Sequence, residues 1–447
     1  MRKKLSLSEN LLVGSLLFGL FFGAGNLIFP LELGQRAGAN IYLVIIGFLL
    51  SAVSLPILAV VATAASDSES LFDLSKIAGN KFAYFFTSIL YLTIGPGFAI
   101  PRTASTTYEV IFEGSGRFYN QWGLLIFSLV FFGLALYLSL KQANLLDTIG
   151  KYMTPSFLIL LSVLLLMCII RPMGGIGDGR VHPKYETSPL AIGFVDGYNT
   201  LDAPAGLAFA IIIISNIKKL GVRESKDMAR ETVKSGVVCL LAMSIIYTGL
   251  ALMGSQAASI LNEYENGAVI LSQIANHYLG RLGHSLLSII VFIACLKTAI
   301  GLISATSEMF NEMLKDKISY KSLCIIFTVI SFLIANLGLE KIISLSLPVL
   351  MFIYPLSIVL IILSISSIFM EKRVFVYKSS LAVTGIFAFF DFLKASPGFI
   401  SGRDLITSLI DWASLNIRGF DIGFGWVIPA LIAFCVSFII DEKILKN

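Results

Sequence analysis

Hydrophobic residues run along this chain in long blocks rather than in alternation. Nine stretches contain no Asp, Glu, Lys or Arg: 10–31, 37–66, 82–101, 118–140, 152–170, 235–262, 322–339, 342–370 and 422–440. A helix needs roughly 20 apolar residues to cross the hydrocarbon core, at ~1.5 Å of rise each, and every one of these stretches is long enough. Three more reach that length with isolated charges inside: 187–217 with Asp196 and Asp202, 285–307 with Lys297, and 374–393 with Lys378 and Asp391. The pattern predicts an all-α integral membrane protein of about twelve transmembrane helices in one domain over residues 1–447.

Two of the predicted spans are interrupted at mid-membrane. The first carries Gly19-Leu-Phe-Phe-Gly23-Ala-Gly25-Asn26-Leu-Ile-Phe29-Pro30, and the sixth carries Phe194-Val-Asp196-Gly197-Tyr198-Asn199-Thr200-Leu201-Asp202-Ala-Pro204-Ala-Gly206. An unbroken helix satisfies all of its own backbone groups, so a break inside a bilayer is costly unless it lines a cavity. Paired interruptions at corresponding positions of two halves point to a transporter site built on inverted repeats. Close packing at small residues is the competing explanation for either break alone. Freed N–H groups at a half-helix start attract an anion, and freed carbonyls attract a cation or an ammonium. Two opposed breaks therefore suit a zwitterion such as an amino acid.

Composition and charge agree with a membrane protein. Residues are 56% hydrophobic and only 14% charged, against about 25% charged in a soluble domain. With the N-terminus placed inside, 21 of the 33 Lys and Arg fall on the cytoplasmic side, 11 on the other, and Lys297 lies within a span. Basic residues concentrate in cytoplasmic loops, so both termini are expected in the cytoplasm. The net charge of +5 then reflects topology rather than affinity for nucleic acid. The basic run Lys218, Lys219, Arg223, Lys226 and Arg230 suits an anchor at an anionic leaflet. The five Cys are scattered singly, and His182, His277 and His284 lack ligand spacing, so neither a disulfide framework nor a metal-ligand cluster is expected. No P-loop is present, which disfavours an ATP-driven pump.

Several motifs then carry a resemblance. Phe-Gly23-Ala-Gly-Asn26-Leu-Ile-Phe-Pro30, Gly95-Pro-Gly-Phe-Ala-Ile-Pro101-Arg102-Thr-Ala104, Gly193-Phe-Val-Asp-Gly197-Tyr198-Asn-Thr-Leu201-Asp202-Ala203 and Ala299-Ile-Gly301-Leu-Ile303 resemble, in order and over nearly the whole chain, the branched-chain amino acid:cation symporters (BrnQ). More distantly, the first motif is similar to the first span of LeuT-type sodium symporters. The resemblance implies a LeuT-like 5+5 inverted repeat with broken helices 1 and 6, repeat one over about 8–172, repeat two over about 187–370, and two peripheral helices over about 374–440. It further implies a multi-pass protein of the bacterial cell membrane that imports leucine, isoleucine and valine with a coupling cation, most simply sodium, and no other cofactor.

Carried over residue by residue, the resemblance puts the substrate carboxylate on the backbone of Gly23, Ala24 and Gly25, beside Asn26. The ammonium would meet carbonyls around Phe194, Asp196 and Gly197, with Tyr198 and Leu201 close by and Phe98 from the third span. Sodium between the first and eighth spans would use Gly19, Phe22, a carbonyl near Ile300 and the Ser304 hydroxyl, with Thr298 and Thr306 as alternates. Hard oxygen ligands suit a hard cation. One departure stands out: Lys297 replaces a hydroxyl residue of the family pattern. A charge at mid-membrane costs on the order of 3 kcal/mol. Lys297 either replaces sodium or carries a proton, which opens a proton-coupled or Lys297-dependent permease for other amino acids, or it pairs with a carboxylate or snorkels toward the outer interface.

Asp202 is expected to organise the sixth-span break by accepting backbone N–H groups. Asp196 is the stronger rival for meeting a cationic substrate, although a structural capping role is favoured for both acids, and Arg102 is expected at the outer end of the third span as gate or interface anchor. A channel would need a continuous polar path, and an intramembrane enzyme a catalytic set. The polar residues instead gather at two breaks, and Ser304 and Lys297 lie about two turns apart, so neither class is favoured.

Overall fold

The structure, a computed structural model, describes residues 4–66, 68, 70–112, 118–141, 154–261, 266–367 and 373–446. Arg2, Lys3, Arg117, Lys151 and Lys372 of the orientation count, and the ends of three predicted stretches at 152–153, 262 and 368–370, lie outside the described residues.

Helix follows helix, with no strand among the described residues. The first span comprises α1 (Leu7–Phe21) and α2 (Ala24–Ala37). The second comprises α3 (Ile41–Leu49) and α4 (Leu55–Ala65), joined by a π-type turn at Leu50–Ser54. A short α5 (Leu71–Ser75) leads into α6 (Asn80–Leu92) and α7 (Ala99–Phe112), which make the third span on either side of a distortion at Thr93–Gly97. Next come α8 (Gln121–Leu140), α9 (Thr154–Ile170), the sixth-span halves α10 (Pro189–Asp196) and α11 (Asp202–Lys219), and α12 (Ser225–Ala257). The chain closes with α13 (Gly267–Met313), α14 (Tyr320–Ala335), α15 (Leu339–Ser366), α16 (Val374–Ala395), α17 (Asp404–Asn416) and α18 (Val427–Lys446). Each of the twelve hydrophobic stretches coincides with helix. Among the described residues, seven helical runs are long and apolar enough to cross a membrane, and the bent pair formed by α10 and α11 makes an eighth.

Local chemistry sets the boundaries. Ser6 caps α1 in a reciprocal capping box with Glu9. Asn120 and Asn266 accept first-turn N–H groups of α8 and α13. These caps satisfy donors that a helix start leaves without partners. In the third span Gly95 leaves helical geometry (φ −92°, ψ −126°) beside Pro96, whose ring cannot continue a helix. The structure also departs from the hydrophobic pattern. α13 runs well beyond 285–307 and bends at Gly280, where φ is +58°. α17 was not predicted as a helix, because Asp404 and Asp411 interrupt its apolar residues.

Large apolar side chains cover the outside. Along α8 the face bearing Ile126, Leu129, Val130 and Leu134 is exposed, with Trp122 near one end and Tyr137 near the other. A surface of this kind fits lipid, with aromatic rings at the interfaces.

Around the sixth span the packing is unusually close. A methyl group added at Gly47 of α3 would stand 2.0 Å from the Leu190 carbonyl oxygen of α10, and one at Gly193 would stand 2.2 Å from that of Val44. The two backbones touch without an intervening side-chain layer, as small residues allow in membranes. Gly47→Ala and Gly193→Ala should each cost about 1–3 kcal/mol through overpacking. The measurement is melting temperature in detergent, and an unchanged value for both would show that α3 and α10 separate freely.

Candidate functional site

α1 stops at Phe21 because the chain turns extended at Phe22 (φ −73°, ψ 101°) and Gly23 (φ −129°, ψ −163°) before α2 resumes at Ala24. The last carbonyls of α1 and the first N–H groups of α2 thus fall at the same depth without intrahelical partners. The Gly23 N–H donates to Asn26 Oδ1 at 2.9 Å, which ties the loop to the helix it starts.

The sixth span breaks differently. After α10 the chain tightens into a 3-10 turn at Gly197–Thr200, and Leu201 takes a left-handed conformation (φ +65°, ψ 11°) before α11. The two halves meet at 47°. A leucine in that region carries strain of order 1 kcal/mol or more and persists only where its surroundings enforce it. Three carbonyls of the turn have donors: Gly197 accepts from Thr200 Oγ1 at 2.9 Å, Tyr198 from the Leu201 N–H at 3.0 Å, and Asn199 from Arg102 Nη1 at 2.7 Å.

The breaks meet through side chains. Asn26 Nδ2 donates to Asp202 Oδ2 at 2.7 Å and contacts the Tyr247 hydroxyl, and that hydroxyl donates to the same Asp202 oxygen at 2.9 Å. All three residues are buried. Asp202 therefore organises the junction by accepting from side chains of the first and seventh spans, rather than from backbone N–H groups as the sequence suggested. Its own N–H donates to Thr200 Oγ1 at 3.3 Å.

A cavity of about 40 Å³ lies between the two breaks. Its polar lining comprises Gly23, Gly25, Asn26, Arg102, Thr103, Thr200, Asp202 and Thr298, and its apolar lining Leu20, Phe21, Ile94, Ala99, Leu201, Ala205, Phe209 and Leu302. Of the residues expected around a substrate, Gly23, Gly25, Asn26 and Leu201 line this cavity, whereas Phe98, Phe194, Asp196, Gly197 and Tyr198 do not. Ala24 begins α2 between two lining residues. Tyr198 is buried against Tyr354, with ring centroids 4.1 Å apart, and Phe194 packs on Tyr198 and Phe424. The Asp196 carboxylate is held by Lys184 at 3.1 Å and the Tyr185 hydroxyl at 2.5 Å, so it is engaged away from the cavity and does not face a cationic substrate there.

Arg102 is the main revision. Instead of standing at the outer end of the third span, it is buried at 4% exposure and lines the cavity. The helix continues ten residues past it. A criterion based on uncharged stretches ended the span at Arg102 itself, and the run Thr103, Ser105, Thr106, Thr107, all buried, was the available sign that this face looks inward.

Among the residues expected to hold sodium, Thr298 lines the cavity opposite Gly23, and a methyl added to that glycine would stand 3.2 Å from Thr298 Oγ1. Thr306 faces the third-span distortion at Gly95 instead. Phe22 and Ile300 are buried, Ser304 is partly buried, and Lys297 Nζ stands 3.7 Å from where a Gly19 Cβ would be. The Lys297 ammonium thus lies beside the end of α1, on the side where the coupling cation was expected. Among the described residues no group of three or more His, Cys, Asp or Glu is placed to hold a metal ion.

Comparison with known proteins places this architecture. Residues 6–444 match the family described as branched-chain amino acid transport protein. The chain is 43% identical over 439 residues to the branched-chain amino acid permease BrnQ of Lactobacillus delbrueckii subsp. lactis, covering 98% of this chain and 97% of that one. It is 38% identical over 445 residues to the permease BraB of Bacillus subtilis, with 98% and 97% covered. Its fold is similar to that of MhsT, solved in complex with L-phenylalanine, at a TM-score of 0.55 and 16% identity over 98% of this chain and 99% of that one. The relatives are permeases and carriers rather than enzymes, and the fold is that of LeuT-like transporters with a broken first and sixth helix. With the match spanning nearly its whole length, this chain belongs to the branched-chain amino acid transport protein family.

Proposed function

We propose that the protein imports leucine, isoleucine and valine across the bacterial cell membrane by alternating access, coupled to a cation, with sodium as the first choice and both termini in the cytoplasm. The observation that carries this reading is the lining of the cavity between the two breaks. One side offers the α2 N-terminus, Asn26 and Asp202, which suit a zwitterionic head; the other offers Leu20, Phe21, Ile94, Phe209 and Leu302, which suit an aliphatic side chain. A site with few polar groups on an apolar wall is the general form of a small-molecule pocket.

The energetics are adequate. One monovalent cation crossing about 100 mV releases roughly 2.3 kcal/mol, and a tenfold gradient adds about 1.4 kcal/mol. Together they support accumulation of a neutral zwitterion by a few hundred-fold.

A second reading rests on Lys297, whose ammonium lies beside Gly19. In that case the lysine supplies the positive charge near α1, and protons or another cation drive transport. Uptake of labelled leucine into vesicles holding the reconstituted protein separates the two. An inward sodium gradient should raise both the initial rate and the final accumulation, and Lys297→Thr should alter that ion dependence. Uptake indifferent to sodium but responsive to a proton gradient overturns the sodium assignment. Unchanged ion dependence in Lys297→Thr removes the lysine from coupling.

A further inference from the structure

Arg102 brings a permanent cation to the wall of the cavity, and its donors are only partly satisfied by the described residues. Nη1 donates to the Asn199 carbonyl at 2.7 Å, the guanidinium carbon stands 5.0 Å from the centre of the Phe29 ring, and Nε is buried with no hydrogen-bond partner. Nη2 lies 2.6 Å from where a Gly25 Cβ would stand, against the first turn of α2. Among the described residues no carboxylate comes within 4 Å of the guanidinium. Asp202 lines the same cavity and balances the charge from beyond hydrogen-bond range, while its carboxylate accepts from Asn26 and Tyr247 rather than from the guanidinium. A buried guanidinium presents five N–H donors and no acceptor, and a buried donor left without a partner bears a desolvation penalty.

The geometry points to Arg102 as a carboxylate-binding residue: the donors that the Asn199 bond leaves over and the first-turn N–H groups of α2 together grip the carboxylate of an amino acid. This deepens the proposed function and rests on its reading of the cavity as an amino-acid site. The two donor sets are independent. α2 is 14 residues long and starts at the cavity wall, so its N-terminus contributes partial positive charge and unpaired N–H groups. Arg102 comes from a different span and adds a formal charge with planar, two-pronged donor geometry that matches a carboxylate. Gly25 is what lets the two converge, since any side chain there occupies the place of Nη2.

The consequence is a specificity rule. Molecules with a free carboxylate are taken, whereas an amino alcohol of the same shape leaves the guanidinium unpaired and is rejected. The test compares leucine with leucinol, which keeps the ammonium and side chain but lacks the carboxylate, as competitors of labelled leucine uptake by the reconstituted protein. Unmutated protein should prefer leucine by at least tenfold. In Arg102→Lys the KM for leucine should rise at least tenfold while inhibition by leucinol changes less than twofold, because the charge remains and the two-pronged geometry is lost. If both ligands weaken by the same factor, Arg102 only braces the sixth-span break through Asn199, and the proposal is overturned. Retention of the full leucine preference in Arg102→Lys overturns it as well. Failure of unmutated protein to take up leucine at all would instead refute the proposed function.

Should Arg102→Lys not fold, labelling of the unmutated protein with phenylglyoxal answers the same question. Leucine, but not leucinol, should slow modification of Arg102 as read by mass spectrometry. Equal labelling in the two ligands counts against the assignment.

Discussion

Replacing Gly25 with leucine should abolish leucine uptake while the protein still inserts in the membrane. A methyl group at this position would stand 2.6 Å from Arg102 Nη2, 3.1 Å from its Cζ and 3.2 Å from Phe29 Cε2. The arginine has little room to yield, because Nη1 is bonded to the Asn199 carbonyl and the side chain is buried. A leucine also occupies the cavity itself, which Gly25 lines. Folding is less affected than the site. Within α2 an ordinary residue is about 1 kcal/mol more favourable than glycine, so the substitution stabilises the helix while obstructing its first turn. Gly25→Ala is the graded control: its methyl displaces the guanidinium tip without filling the cavity, and the initial rate should fall by roughly tenfold, a barrier increase of ~1.4 kcal/mol. Uptake and membrane-fraction abundance should be measured together. Normal uptake by Gly25→Leu at parental abundance would remove this turn from the substrate site.

Breaking the clamp between the two interrupted spans should be nearly as damaging. Asn26→Leu removes the donor to Asp202 at 2.7 Å and the acceptor of the Gly23 N–H at 2.9 Å in one step. A hydrogen bond to a charged group contributes about 1.5–3 kcal/mol, and a buried group left without its partner bears a full desolvation penalty. Uptake should fall at least tenfold and the melting temperature should drop. Tyr247→Phe removes the 2.9 Å donor to Asp202 and the hydroxyl contact of Asn26 but leaves the Asn26 bonds to Asp202 and to the Gly23 N–H, so its effect on both readouts should be smaller. The ordering matters more than either value. Equal losses would mean that the two donors act as one cooperative unit, and parental behaviour in Asn26→Leu would show that the breaks stay together without it.

These two predictions also mark what could be read in advance. The breaks near residues 24 and 200 were legible because glycine, proline, asparagine and aspartate at membrane depth have few other uses. Their meeting in space was legible too, since two halves of opposite polarity suit a single ligand. Side-chain partners were less so. Tyr247 sits in the stretch 235–262, which reads as plain apolar helix, and only the fold turns its hydroxyl toward Asp202. Arg102 interrupts the uncharged run yet lies within its helix, because a charge that faces a cavity sits well inside a span. Asp196 shows the other side of the same problem. At the sequence level it looked like a buried acid beside a break, yet Lys184 and Tyr185 from the preceding loop reach it first. Sequence distance to a break does not reveal which way a carboxylate points.

The contact between Gly47 and the Leu190 carbonyl has a mechanical consequence. Helices slide past one another by small rotamer adjustments in the side-chain layer that separates them, the shear type of motion. α3 and α10 have no such layer where Gly47 meets Leu190 and Gly193 meets Val44. Under the proposed alternating access, α3 and α10 should therefore move together as one rigid body. The bending then falls to the joints at Phe22–Gly23 and Gly197–Leu201, where Gly23, Thr200 and Leu201 are also walls of the compartment being opened.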